Sequence, residues 1–161
     1  MLLAMCDYCD CRDVAPIREL SEEHDAIGVI AARVRRAIGD GDHAAAGAEL
    51  RQLQAALAPH LQREEAGIFA QLAARDGFAW YLSTLMADHA SARADLLGVD
   101  PDGAGWDGRV LAGLDALAEH ISLEEYDLFP ASRMMIDDHG WAEVIAAHER
   151  LRHAAAAPAG R

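Results

Sequence analysis

Apolar residues recur at intervals of three and four along most of this chain, and glycine or proline interrupts each run. Ile17, Leu20, Ile27, Ile30, Val34 and Ile38 form a first helical stripe, with Pro16 suited to its first turn and Gly39-Asp40-Gly41-Asp42 to its end. Asp42 is a ready N-cap for a second helix from His43 to about Arg75, marked by Leu50, Leu53, Leu57, Leu61, Ile68, Phe69 and Leu72. Pro59 lies inside that run. An internal proline costs about 3 kcal/mol or kinks the helix, because it deletes a backbone hydrogen bond. It marks either a kink beside His60 or the division of one long helix.

Gly77 precedes a third helix, Phe78 to Leu97, with Trp80, Leu82, Leu85, Met86 and Leu96 as its apolar marks. A loop from Gly98 to Gly105 leads to a fourth, Trp106 to Phe129, which Pro130 is expected to stop. A short fifth helix, Gly140 to His153, carries Trp141, Val144 and Ile145, and the residues from Ala154 onward read as frayed. Helices joined by short loops pack as antiparallel neighbours. The expectation is an all-α, up-down-up-down four-helix bundle over residues 16–130, after an N-terminal arm (1–15) and before a short C-terminal helix and tail (131–161).

Each of the four helices sets a histidine on its apolar side: His24, His60, His89 and His120. Two add a glutamate four residues on, Glu64 and Glu124. Four residues turn through about 400° of helix, so each His–Glu pair aims an imidazole and a carboxylate into one cavity. Those are ligands that iron, manganese and zinc accept. Burying four imidazoles and two carboxylates without metal would leave polar groups in want of partners, at roughly 1–3 kcal/mol each. The six residues suit a pair of metal ions in a bundle core.

Composition narrows the setting. The chain has 161 residues and is 52% apolar, much of it alanine, which favours helix. The net charge of −13 argues against nucleic acid and anionic membrane as partners. No stretch approaches the roughly 20 apolar residues of a membrane span, and the opening residues lack the pattern of a secretory signal, so a cytoplasmic protein is expected. Cys6, Cys9 and Cys11 are an odd number in a short arm, which is no disulfide framework. They are one thiolate short of a structural zinc site, and Asp7 and Asp10 would raise their pKa values.

HLQREEAGIF (60–69) and HISLEEYDLF (120–129) match at His, both glutamates, a late apolar residue and Phe. With the Glu-His at 23–24 and with His89, this order resembles the hemerythrin-like, HHE cation-binding proteins over about residues 16–130. The resemblance implies a four-helix bundle holding two non-haem irons bridged by carboxylates and an oxygen atom. His24 and His60 would ligate one iron and His89 and His120 the other, while Glu64 and Glu124 would bridge them or fill a coordination position.

Two departures separate the chain from the oxygen-carrying branch. Arg93 stands where that branch has a second histidine on the third helix, and the fourth-helix acid is Glu124 at the fourth residue rather than an aspartate at the fifth. Arginine cannot ligate iron, and its charge would be unfavourable there unless paired with a carboxylate. Water, Glu125 or a tyrosine would fill the lost position. Glu65 and Glu125 lie about 140° from their histidines and read as solvated or supporting groups, Glu125 being the stronger candidate for a direct role. His43, His139, His148 and His153 read as surface residues. Arg63, Asp88 and Glu119 adjoin the candidate ligands, where an acid would orient an imidazole N–H.

The resemblance and these departures point to a di-iron protein that binds O2-derived ligands, peroxide or nitric oxide, for sensing or detoxification rather than oxygen transport. Turnover, if any, would be peroxidase- or catalase-like or related to nitric oxide. The alternative is an iron- or redox-responsive interaction module without turnover.

Overall fold

The computed structural model describes residues 11–100 and 103–156, and among these there is no strand: the protein is an all-helical bundle. Cys6 and Cys9 lie outside the described residues. A single 3₁₀ turn, Cys11–Asp13, leads into α1 (Ala15–Gly39), with Pro16 in its first turn. The Asp42 carboxylate accepts from Ala45 N at 2.9 Å and caps α2 (His43–Glu64). Helix α2 continues unbroken through Pro59, so this proline neither ends nor divides it.

A wider π turn, Glu65–Phe69, and a short α3 (Ala70–Ala73) complete the second rod. Gly77, at φ +90°, turns the chain into α4 (Ala79–Ala92), which ends in a second π turn, Arg93–Leu97. Helix α5 (Trp106–Leu123) passes through a third, Glu124–Leu128, into α6 (Phe129–Met135). Pro130 therefore does not stop the fourth rod. The return from π to α bonding makes a new first turn there, where a missing N–H is tolerated. Helix α7 (Asp138–Ala156) is longer than its sequence pattern indicates, takes in Ala154 to Ala156, and starts with Gly140 N donating to Asp137 at 2.9 Å.

The core is split in two. One apolar cluster holds Ile27, Val34, Leu50, Leu57, Leu96 and Leu114, among others. The second holds Ile17, Leu20, Ile68, Leu85, Leu128 and Phe129. Helix α1 runs from the second to the first, α2 back, α4 forward and α5 back, so successive rods alternate in direction. Trp80 and Met86, apolar marks in the sequence, face outward at 78% and 42% exposure. Helix α7 lies against α1, α2 and the first π turn.

Candidate metal centre

His24, His60, His89 and His120 sit at the boundary between the two apolar clusters. His24 lies between Leu20 and Ile27, His60 between Leu57 and Ile68, His89 between Leu85 and Leu96, and His120 between Leu114 and Leu128. Each interrupts its rod's buried apolar stripe, so the helices meet in a polar layer with an apolar cluster on either side. His24, His60, Glu64, His89, His120 and Glu124 are all buried there.

Each imidazole turns Nε2 inward. His60 Nε2 is 3.1 Å from Glu64 and His120 Nε2 is 3.2 Å from Glu124, the i,i+4 pairs visible in the sequence. His24 Nε2 lies 3.5 Å from Glu64 and 3.3 Å from Glu124, and His89 Nε2 lies 3.4 Å from Glu64. Two four-residue groups share both glutamates: His24, His60, Glu64 and Glu124, and Glu64, His89, His120 and Glu124. In each, one candidate donor atom per residue lies within 4.8 Å of all the others.

The opposite face of every ring meets an acid. Nδ1 of His24 is 2.8 Å from Glu125, that of His60 2.9 Å from Glu23, that of His89 2.7 Å from Glu65 and that of His120 3.4 Å from Asp88. A carboxylate at Nδ1 draws the proton to that side and leaves Nε2 as an inward lone pair, which is how outer groups prepare a histidine for metal. Glu65 and Glu125 thus stand behind the rings of His89 and His24, on the side away from the inward Nε2 atoms. Their 140° offset from the histidines of their own helices carries them to the histidine of another. Glu23 was not legible as such a partner from spacing, although it precedes His24 as Asp88 precedes His89.

The repeated segment explains the symmetry of this layer. In HLQREEAGIF, His60 and Glu64 face the centre while Glu65 holds His89 and Phe69 stacks on it at 5.1 Å. In HISLEEYDLF, His120 and Glu124 face the centre while Glu125 holds His24 and Phe129 stacks on it at 5.6 Å. Each copy therefore supplies one imidazole, one inward carboxylate and a clamp for an imidazole on another helix. Both copies enter a π turn at or just after the inward glutamate, as π turns tend to do at functional sites.

The donor set fits a cation. All four oxygens of Glu64 and Glu124 are buried without a hydrogen-bond donor, and so is Nε2 of His24. His89 Nε2 and His120 Nε2 stand 3.0 Å apart, two nitrogens that a proton or a metal must separate. The titration behaviour agrees. Burial alone would push the His24 pKa down, yet Glu124, Glu125 and Glu64 hold it well above the usual value. The same contest between burial and Glu64 and Glu23 leaves His60 at about 9, and His120 is raised over its burial by Glu124. Glu64 is held well below the usual carboxylate range, despite its burial, by His60, His24 and His89.

Arg93 pairs with a carboxylate, as its charge requires: it donates to Glu65 at 2.8 Å, and Glu65 in turn holds His89. Glu125, occupied at the back of His24, does not fill the position that the arginine vacates. Arg63 pairs with Glu23 behind His60. Glu119 is exposed and takes no part. His43, His139 and His153 are exposed, but His148 is not: it is 1% exposed, and α7 presses it and Val144 against Gly67 of the first π turn. Its surface placement from sequence fails because α7 packs on the bundle instead of trailing from it.

A family model for the hemerythrin HHE cation binding domain matches residues 15–132, which takes in every residue of this layer. No curated protein and no solved structure matches the chain. Helix α7 falls outside the matched span.

Proposed function

The chain belongs to the hemerythrin HHE cation-binding family, and we propose that it is a non-haem di-iron protein that binds a small oxidising or nitrogen-oxide ligand. O2-derived species, peroxide and nitric oxide are the candidate ligands. In this reading His24 and His60 would hold one iron and His89 and His120 the other, with Glu64 and Glu124 bridging them or filling a coordination position, in an up-down-up-down four-helix bundle. The observation that carries it is the inward row of Nε2 atoms around two buried carboxylates with no donors of their own.

Bound iron would supply redox change and affinity for the small ligand. The chain's own residues set what that iron does. Glu125, Glu23, Glu65 and Asp88 fix the orientation and tautomer of each ring. The apolar clusters above and below exclude bulk water. Arg93 clamps Glu65 instead of supplying a fifth imidazole, so the set is poorer in nitrogen than an oxygen carrier's and leaves room for an exogenous ligand. Sensing or detoxification fits this better than oxygen storage.

A second reading, a metal-responsive interaction module without turnover, draws on the same orphaned carboxylates. Removing metal leaves two buried anions that only protons can satisfy, which couples metal occupancy to folding. Both readings are tested by metal analysis of protein from iron-supplemented, low-oxygen culture, followed by titration with azide, nitric oxide and peroxide. Two irons per chain, lost in His24→Ala and in His120→Ala, with a new absorption band on ligand addition, is the expected result. Iron retained in both variants sinks the site. Full iron with no spectral response to any of the three ligands, but strong stabilisation, selects the module.

A further inference from the structure

The two halves of the centre are alike except at one corner. Behind His60, Glu23 is anchored by Arg63; behind His89, Glu65 is anchored by Arg93; behind His24, Glu125 has the Arg12 guanidinium at 3.8 Å. Behind His120 stands Asp88, and among the described residues no cation pairs with it. The cause is legible in the repeat. Arg63 is the fourth residue of HLQREE, and its counterpart in HISLEE is Leu123. The consequence is geometric: Asp88 sits 3.4 Å from its imidazole where the other three acids sit at 2.7–2.9 Å, and its side chain is 40% exposed, more than Glu23, Glu65 or Glu125.

A pocket opens at this corner. It has a volume of about 90 Å³, lies between α4 and α5, and is lined by Asp88, Ser91, Asp95, Gly113, Ala116 and the buried ring of His120. It has room for several waters. Leu117 and the small Ala92 complete its walls, and the ring of His120 forms part of the same lining as the half-exposed Asp88.

We infer that the His120 corner is the exchange corner of the centre, where the ion beside His89 and His120 enters and leaves faster than the ion beside His24 and His60. This rests on the two-metal reading above. Releasing an ion requires a ligating ring to withdraw and solvent to follow. A ring whose outer carboxylate is fixed by an arginine has less freedom to withdraw than one held by an unanchored, solvated aspartate. The pocket brings water to that aspartate and that ring.

The test uses the full chain loaded with Zn(II), mixed with an excess of a chromogenic chelator, and reads the release rate rather than any activity. Wild type is expected to release its two ions in two phases separated by at least about fivefold in rate. Leu123→Arg, which restores the missing anchor, slows the fast phase by about threefold or more, and Ala116→Leu, which fills the pocket mouth, does the same by an independent route. Arg63→Leu, which removes the anchor behind His60, speeds the slow phase. Ala118→Leu, on an exposed face of α5 outside the pocket, changes neither. One common rate for both ions, or a fast phase indifferent to both Leu123→Arg and Ala116→Leu, overturns the inference. A wild-type chain that retains no zinc or iron overturns the two-metal reading itself, and this inference with it.

Discussion

Charge balance governs the individual residues of this layer. With no metal, His60 has a folded pKa of about 9 against about 6.5 unfolded, because Glu64 and Glu23 overcome its burial. A raised folded pKa means that the native state holds the proton more tightly. The resulting stability is complete below pH 6.5 and is lost as pH rises through about 9. Metal must displace that proton, so the two effects diverge. Melting temperature of the metal-free protein should fall between pH 6.5 and 9, while the increment produced by adding Zn(II) or Fe(II) should grow over the same interval. A flat increment would count against His60 as a ligand. The outer carboxylates act one step further out. Glu65→Gln keeps an acceptor for His89 but loses the charge that Arg93 pairs with, and it should weaken metal binding about 10–100-fold by competitive chelator titration.

The elements owe their placement to close approaches as much as to apolar stripes. Gly67 lies in the first π turn under α7, where a Cβ would fall 2.8 Å from His148 Nε2 and 3.1 Å from Val144. Gly67→Ala should therefore destabilise the protein by about 1–3 kcal/mol in urea unfolding, as overpacking does. Gly28 is the contrasting case, mid-helix and exposed in α1 with nothing within 4 Å of its Cβ position. Gly28→Ala should stabilise by about 0.5–1 kcal/mol in the same assay. Equal effects at the two positions would mean that α7 does not press on the π turn. Helix α7 is also tied to α1, where Arg152 donates to Glu19 at 3.0 Å.

In the whole molecule, two dry clusters enclose a polar layer, and that arrangement makes the layer the weak plane of the metal-free fold. Binding two ions under the proposed assignment should raise stability by about 2.7 kcal/mol per ion when free metal exceeds the dissociation constant a hundredfold. For a chain of this size that corresponds to roughly 5–10 °C of melting temperature per ion. Calorimetry of metal-loaded and chelator-treated protein checks it, and coincident melting curves would exclude ions bound to the folded state. No helix among the described residues is long and apolar enough to cross a membrane.

The local pattern was enough to place the rods and the residues that converge. His24, His60, His89 and His120 each continue an apolar stripe of period 3.6, and Glu64 and Glu124 follow theirs by four, so one helix face dictates their direction. The family match and the all-helical bundle agree with that local physics. What depended on tertiary structure is everything that joins positions far apart in the chain. Glu125 reaches His24 across 101 residues and Glu65 reaches His89 across 24, contacts that exist only once the rods are set side by side. Pro130 and His148 misled for the same reason: local rules treat a proline as a stop and a late histidine as surface. A π turn re-registers the helix at the first, and the docking of α7 buries the second. Periodicity determines which way a side chain points from its own helix, and only packing decides what it meets there.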